Sequence, residues 1–171
     1  MRGLKEGKQT KVTELVNKEI RKIEGNGLGY LINVLKYIKK NYRFSRESRE
    51  KYPQRTRNTD ELIKSKIMTG CTDFAHLCLV LLRGKKIPAL YIEAFDKSWL
   101  KKPNKNIQGH IFVEAKIGNE KYILDPTAGD INFVGKYKQY IPMIKGIDFL
   151  TLFPNNRIYE YKVKKHFNIK F

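Results

Sequence analysis

The sequence predicts an α+β domain in which a helix buried on all sides packs on an antiparallel sheet, with extra helices N-terminal to it. Three observations carry this. Apolar residues recur at helical spacing through the first third of the chain, Leu77–Leu82 is apolar in every direction, and an apolar-rich strand segment and the alternating His110–Lys116 follow it. At 171 residues the chain is long enough for one domain with a full core, and 41% hydrophobic and 12% aromatic residues exclude a disordered class. No apolar run reaches the roughly 18 residues of a membrane span, and Met1–Thr10 lacks the apolar stretch of a secretory signal, so the expected compartment is the cytoplasm.

Residues 11–24 place Val12, Leu15, Val16, Ile20 and Ile23 on one helical face. Gly25-Asn26-Gly27-Leu28-Gly29 turns into a second helix over about 28–41, with Leu31, Leu35 and Ile38 aligned. That glycine cluster follows a helix and lacks the Gly-Lys-Ser/Thr ending of a phosphate cradle, so it reads as a helix–helix turn. Residues 43–58, with Arg46, Arg49, Arg55 and Arg57, read as a surface loop or lid whose arginines form a solvated face. Asn58-Thr59-Asp60-Glu61 carries a polar cap and acidic first turn, opening a short helix that ends near Met68-Thr69-Gly70.

A helix then runs from Cys71 to Gly84, and Ala89–Phe95 reads as a strand. Residues 96–109, with Lys97, Lys101, Lys102 and Lys105, read as a loop. His110–Lys116 and Lys121–Leu124 form a hairpin about Gly118-Asn119. A helix is expected over 141–153 and a last strand over 157–163.

Charge admits a second class of function. Thirty-five basic against 17 acidic residues give +18, which invites binding to nucleic acid. The excess is spread, however: 16 basic against 7 acidic groups in residues 1–60, 11 against 8 in 61–130, and 8 against 2 in 131–171. Lysine also outnumbers arginine, the residue suited to bidentate readout, by 26 to 9. A basic non-catalytic binding module, for nucleic acid among other partners, is therefore the alternative rather than the favoured reading.

Cys71 and Cys78 lie seven apart on one helix, about 10.5 Å along its axis, beyond the roughly 7 Å that a disulfide spans. Cys78 belongs to the apolar run and reads as core. Cys71 opens the helix, where free backbone N–H groups and the dipole stabilise a thiolate and can hold an oxyanion. Asp73, a first-turn acid, opposes that effect mildly. A thiol nucleophile needs a base and the base an orienting acceptor. His76 lies about 140° round the helix from Cys71, and His166 sits among lysines near the C-terminus. His110 instead begins a strand whose hairpin partner ends at Asp125. A Gly118-Asn119 turn pairs Ile117 with Glu120 and makes His110 and Asp125 diagonal neighbours on one face. A turn at Ile117-Gly118 sets them directly opposite. Ile111, Val113 and Ala115 form the other, apolar face, leaving His110, Phe112 and Glu114 toward the helix or solvent.

Three segments together, Thr69-Gly70-Cys71-Thr72-Asp73-Phe74-Ala75 with Gly84-Lys85-Lys86-Ile87-Pro88-Ala89, Gly109-His110-Ile111-Phe112-Val113-Glu114-Ala115, and Leu124-Asp125-Pro126-Thr127, resemble the core motifs of the transglutaminase-like superfamily. They occur in the family's order over about residues 58–130, with spacings of 39 and 15 residues between Cys71, His110 and Asp125. The resemblance implies a papain-like core with Cys71 as nucleophile, His110 as general base and acid, and Asp125 as orienter. It does not cover helices 11–41 or the C-terminal part. The calcium sites, extra domains and upstream aromatic oxyanion residue of the mammalian enzymes have no counterpart, so Gln54 or Tyr52 is the candidate oxyanion donor. Trp99 is a candidate for a cleft wall or a buried anchor. The expected chemistry is acyl transfer from a peptide or protein amide through a Cys71 thioester, with hydrolysis favoured over transfer to an amine. No metal or organic cofactor and no membrane is implied, and oligomeric state has no signature in the sequence.

Overall fold

The computed structural model describes residues 2–104, 106–133, 137 and 139–169, so Lys105 of the expected 96–109 loop lies outside the described residues. Three helices come first. Thr13 caps α1 (Glu14–Ile20), its hydroxyl accepting from Val16 N at 3.3 Å. In α2 (Gly27–Asn41), Tyr30, Leu31, Val34, Leu35 and Ile38 form one buried stripe. The expected capping box is present at α3 (Thr59–Ser65), with Asn58 and Glu61 exchanging side-chain and backbone bonds.

These helices surround α4 (Cys71–Gly84), in which every residue from Thr72 to Arg83 is buried. Tyr30 donates to the Leu81 carbonyl at 3.1 Å, satisfying a hydroxyl inside this core. On its other side α4 packs on a five-stranded antiparallel sheet of order β6-β5-β4-β3-β7. Its strands are β3 (Ala89–Asp96), β4 (Gly109–Ile117), β5 (Glu120–Asp125), β6 (Asp130–Phe133) and β7 (Tyr140–Gly146). The hairpin takes the Gly118-Asn119 turn, pairing Ile117 with Glu120 and Val113 with Leu124. Gly118 supplies the positive φ of +58° that the turn needs. Ile111, Val113 and Ala115 join the core that holds α4, while Phe112 packs with Ile92, Ala94, Ile123 and Tyr137 on the far face. The helix thus covers the apolar row, and the His110 row faces away from it.

The C-terminal expectations are exchanged. Residues 141–153 contain the strand β7 and one helical turn, α6 (Phe149–Leu152), whereas 157–163 lie within the helix α7 (Asn156–Phe167). Tyr159, Tyr161 and Val163 alternate like a strand. Tyr159 and Val163 are also one helical turn apart, and these two are buried while Tyr161 is 61% exposed. Pro142 is accommodated because β7 is an edge strand. The 96–109 loop contains a short helix, α5 (Lys97–Lys101), capped by Asp96.

The segment 43–58 runs mostly over the surface, as a loop, but two of its arginines do not stay there. Arg43–Phe44 (β1) pairs in parallel with Ile67–Met68 (β2), immediately before α4, and the side chains of Arg55 and Arg57 turn inward to buried carboxylates. Those two are therefore no solvated face, whereas Arg46 is exposed.

Candidate active site

Cys71 is the first residue of α4 and is partly exposed, while Gly70 before it is extended, with φ −172°. A Cβ on Gly70 would lie 2.5 Å from Gln54 Nε2, so the glycine is what lets that amide lie against the start of the helix. Gln54 Nε2, which carries two N–H groups, donates one to the Thr69 carbonyl at 2.7 Å, and Arg49 Nε donates to the same oxygen at 3.0 Å. Asp73 does not act as a bare first-turn charge. Its Oδ2 accepts from Arg57 Nη2 at 2.5 Å and from the Thr69 amide and hydroxyl at 2.7 and 3.0 Å. These bonds fold residues 69–73 into a rigid N-terminal corner.

His110 is the second residue of β4. Its Nε2 is 2.9 Å from Asp125 Oδ2, with side chains 15% and 6% exposed. Asp125 is held in turn: its Oδ1 accepts from the Thr127 and Ala128 amides, both at 3.1 Å. Cys71 is close enough to the same imidazole to act on its proton affinity. With Nε2 occupied by Asp125, Nδ1 is the nitrogen left for the sulfur. Burial draws the His110 pKa down from 6.5, but the bond to Asp125 and the influence of Cys71 overcome it and hold it at about 9. Tyr140 stacks on the ring at 5.1 Å and Phe112 meets it edge-on at 4.9 Å, so its plane is fixed from two sides. Cys71 and His110 thus meet at the ends of their elements, not across the helix–sheet interface.

The other candidates are placed elsewhere. Burial, against the pull of Asp148 and Asp73, lowers the His76 pKa to about 4, and its Nε2 accepts from Phe149 N at 3.3 Å. His166 is exposed on α7. Burial pushes the Cys78 thiol up, and both cysteines are unpaired with each other. Tyr52 lies under the Arg57 guanidinium at 4.8 Å, whereas Gln54 bonds to the Thr69 carbonyl at the helix start. Trp99 is 3% exposed and packs 6.0 Å from Phe95, an anchor rather than a wall.

Tyr140 and the buried carboxylate Glu93, an electrostatic neighbour of His110, had no signal in the sequence. Both depend on how β3 lies between β4 and β7. Among the described residues no group of three His, Cys, Asp or Glu side chains is arranged to hold a metal ion, and no helix is long and apolar enough to cross a membrane. Chemically, a thiol at a helix N-terminus, an imidazole beside it and a carboxylate behind the imidazole are the parts of a nucleophile–base–orienter relay.

The model of the transglutaminase-like superfamily matches residues 15–126. A crystal structure from Cytophaga hutchinsonii, described as "a putative cysteine protease", superposes with a TM-score of 0.66 at 19% identity, covering 85% of this chain and 46% of that one. A second, described as a TGase, gives 0.49 at 12% identity, covering 77% and 36%. The chain spans less than half the length of these solved structures. No curated protein matches it. The first superposition shows the fold: an α+β, papain-like transglutaminase core.

Proposed function

The chain belongs to the transglutaminase-like superfamily, and from that premise we propose that it is a cysteine-dependent acyl-transfer enzyme acting on peptide or side-chain amides. Cys71 is the nucleophile, His110 the general base and acid, and Asp125 the orienter. The observation that carries the reading is the His110 ring, tied to Asp125 through Nε2 at 2.9 Å and close to Cys71.

The Cys71 sulfur attacks the amide carbon, its proton having already passed to His110 Nδ1, where the high proton affinity of the imidazole keeps it. The C=O π bond opens to an oxyanion, which the backbone N–H groups at the start of α4 and the second N–H of Gln54 Nε2 stabilise. The C–N bond then breaks, the His110 proton goes to the leaving amine, and a thioester remains. Water, deprotonated by His110, attacks the thioester, releasing a carboxylic acid and restoring the thiol. The high proton affinity of His110 suits it to hold the proton between these steps. Cys71 is partly open to solvent, which admits water as the acceptor, so hydrolysis is preferred over transfer to an amine.

Alkylation by iodoacetamide tests the assignment, with buried Cys78 as the internal control. Cys71 should react much faster than a free thiol at the same pH, and His110→Ala should abolish the acceleration. A Cys71 that reacts like a free thiol and ignores His110→Ala refutes the relay.

A further inference from the structure

The loop ahead of the nucleophile helix is fastened at closely spaced residues. Gln54 reaches the Thr69 carbonyl, Arg57 reaches Asp73, and Gln9 Nε2 donates to the carbonyls of Arg55 and Arg57 at 2.8 and 3.0 Å. Arg55 is the unusual member. Its φ of +67° lies in the left-handed region that a non-glycine residue adopts only when its surroundings impose it.

The surroundings are visible. The Arg55 guanidinium carbon lies 4.2 Å from the Tyr159 ring centroid and 4.6 Å from that of Phe149. Its Nη2 is 3.4 Å from Glu93 Oε1 and 3.3 Å from Tyr159 Oη. Glu93 is fully buried and also accepts from Tyr91 Oη at 2.6 Å and Tyr159 Oη at 3.0 Å. This carboxylate sits at a bulge in the β3–β7 pairing, next to Ala94, whose partner across β4 is His110. Tyr159 and Phe149 come from α7 and α6, beyond the segment that matches the family.

We propose that Arg55 is a positioning residue for the acyl-transfer reaction: seated between Tyr159 and Phe149 and tied to Glu93, it fixes the strained backbone from which Gln54 presents its amide to the oxyanion. The C-terminal helices thereby complete the site. This rests on the reading of Cys71, His110 and Asp125 given above. It follows from the chain: Gln54 and Arg55 are adjacent, so the left-handed turn at Arg55 sets the direction in which Gln54 leaves the backbone. A displacement of about 1 Å at a catalytic donor costs about a hundredfold in rate.

Two probes of Cys71 separate positioning from mere support. Iodoacetamide is attacked by direct displacement and forms no oxyanion, whereas p-nitrophenyl acetate passes through a tetrahedral oxyanion on its way to acetyl-Cys71 with loss of p-nitrophenolate. Reaction at other groups is subtracted with Cys71→Ala. Gln54→Ala should slow acetylation at least tenfold, against a usual range of about 10²–10³ for one oxyanion donor. Arg55→Ala should slow it by a similar factor, and the double variant should be no slower than Gln54→Ala alone, because both changes remove one donor. Alkylation by iodoacetamide should stay close to the wild-type rate in all three. Tyr159→Phe keeps the ring and removes the two hydrogen bonds of the hydroxyl, from Arg55 and to Glu93. It should give a smaller loss in acetylation alone, and it serves if Arg55→Ala does not fold.

Acetylation at the wild-type rate in folded Arg55→Ala, or in Tyr159→Phe where that variant serves, overturns the proposal. So does a double variant whose loss is the product of the single losses, or a parallel fall in both probes. Wild-type protein whose acetylation does not exceed that of Cys71→Ala overturns the acyl-transfer reading itself, and the role of Arg55 with it.

Discussion

Asp125→Asn is the most informative single change at the candidate site. It deletes the charge that faces His110 Nε2 at 2.9 Å and keeps a side-chain oxygen for the Thr127 and Ala128 amides, so the turn survives. A hydrogen bond to a charged group contributes about 1.5–3 kcal/mol, and one pKa unit corresponds to about 1.4 kcal/mol. The His110 midpoint, held at about 9 in the wild type, should therefore fall by about one to two units. Burial continues to oppose the charged ring, with Cys71 and Glu93 left to offset it.

NMR titration of labelled histidine reads this directly. His76 is set apart by its low pKa of about 4, and the His110 signal is the one lost in His110→Ala. The same shift appears in stability. The folded pKa lies above the unfolded 6.5, so the stabilisation is complete below pH 6.5, is lost as pH rises through about 9 and is absent beyond. Its ceiling is about 3 kcal/mol, and urea unfolding at about pH 6 and about pH 10 should show a larger drop in the wild type than in the variant. A wild-type midpoint near 6.5, or one that Asp125→Asn leaves unmoved, refutes the electrostatic account.

Two further substitutions probe the corner around Cys71. Gly70→Ala suits the extended backbone but drives a Cβ to 2.5 Å from Gln54 Nε2. Thermal stability should hold while acetylation by p-nitrophenyl acetate drops about tenfold or more. Arg57→Ala strands the buried Asp73 carboxylate, and urea denaturation should show a loss of about 3–5 kcal/mol. Part of that loss should return in Arg57→Ala combined with Asp73→Asn.

The parts of the site that local signals determine were legible in the sequence. The turn at Gly118-Asn119 sets the β4–β5 register, and that register alone makes His110 and Asp125 diagonal neighbours. The all-apolar run after Cys71 likewise announces a central helix. What depends on long-range packing was not legible. Tyr159, Tyr161 and Val163 satisfy both a strand and a helix pattern, and only the burial of Tyr159 and Val163 decides between them. The inward turn of Arg55 and Arg57 depends on Glu93 and Asp73, acids far away in the chain or hidden in a helix. Four arginines in an irregular stretch look like a wetted surface until their partners are placed.

The order of the strands has a kinetic consequence. The three central strands are neighbours in the chain, but the outer strand β7 must travel back to β3, and Tyr159 closes on Glu93 across 66 residues. Contacts this distant carry a loop-closure entropy that neighbouring hairpins avoid, so they form late in folding. The hairpin bearing the imidazole and its carboxylate can zip up early, whereas the brace behind the loop waits for the final helix to dock. A newly made chain would therefore gain the proposed thiol relay and the proposed oxyanion support at separate moments, the second only after the last third of the polypeptide has come home.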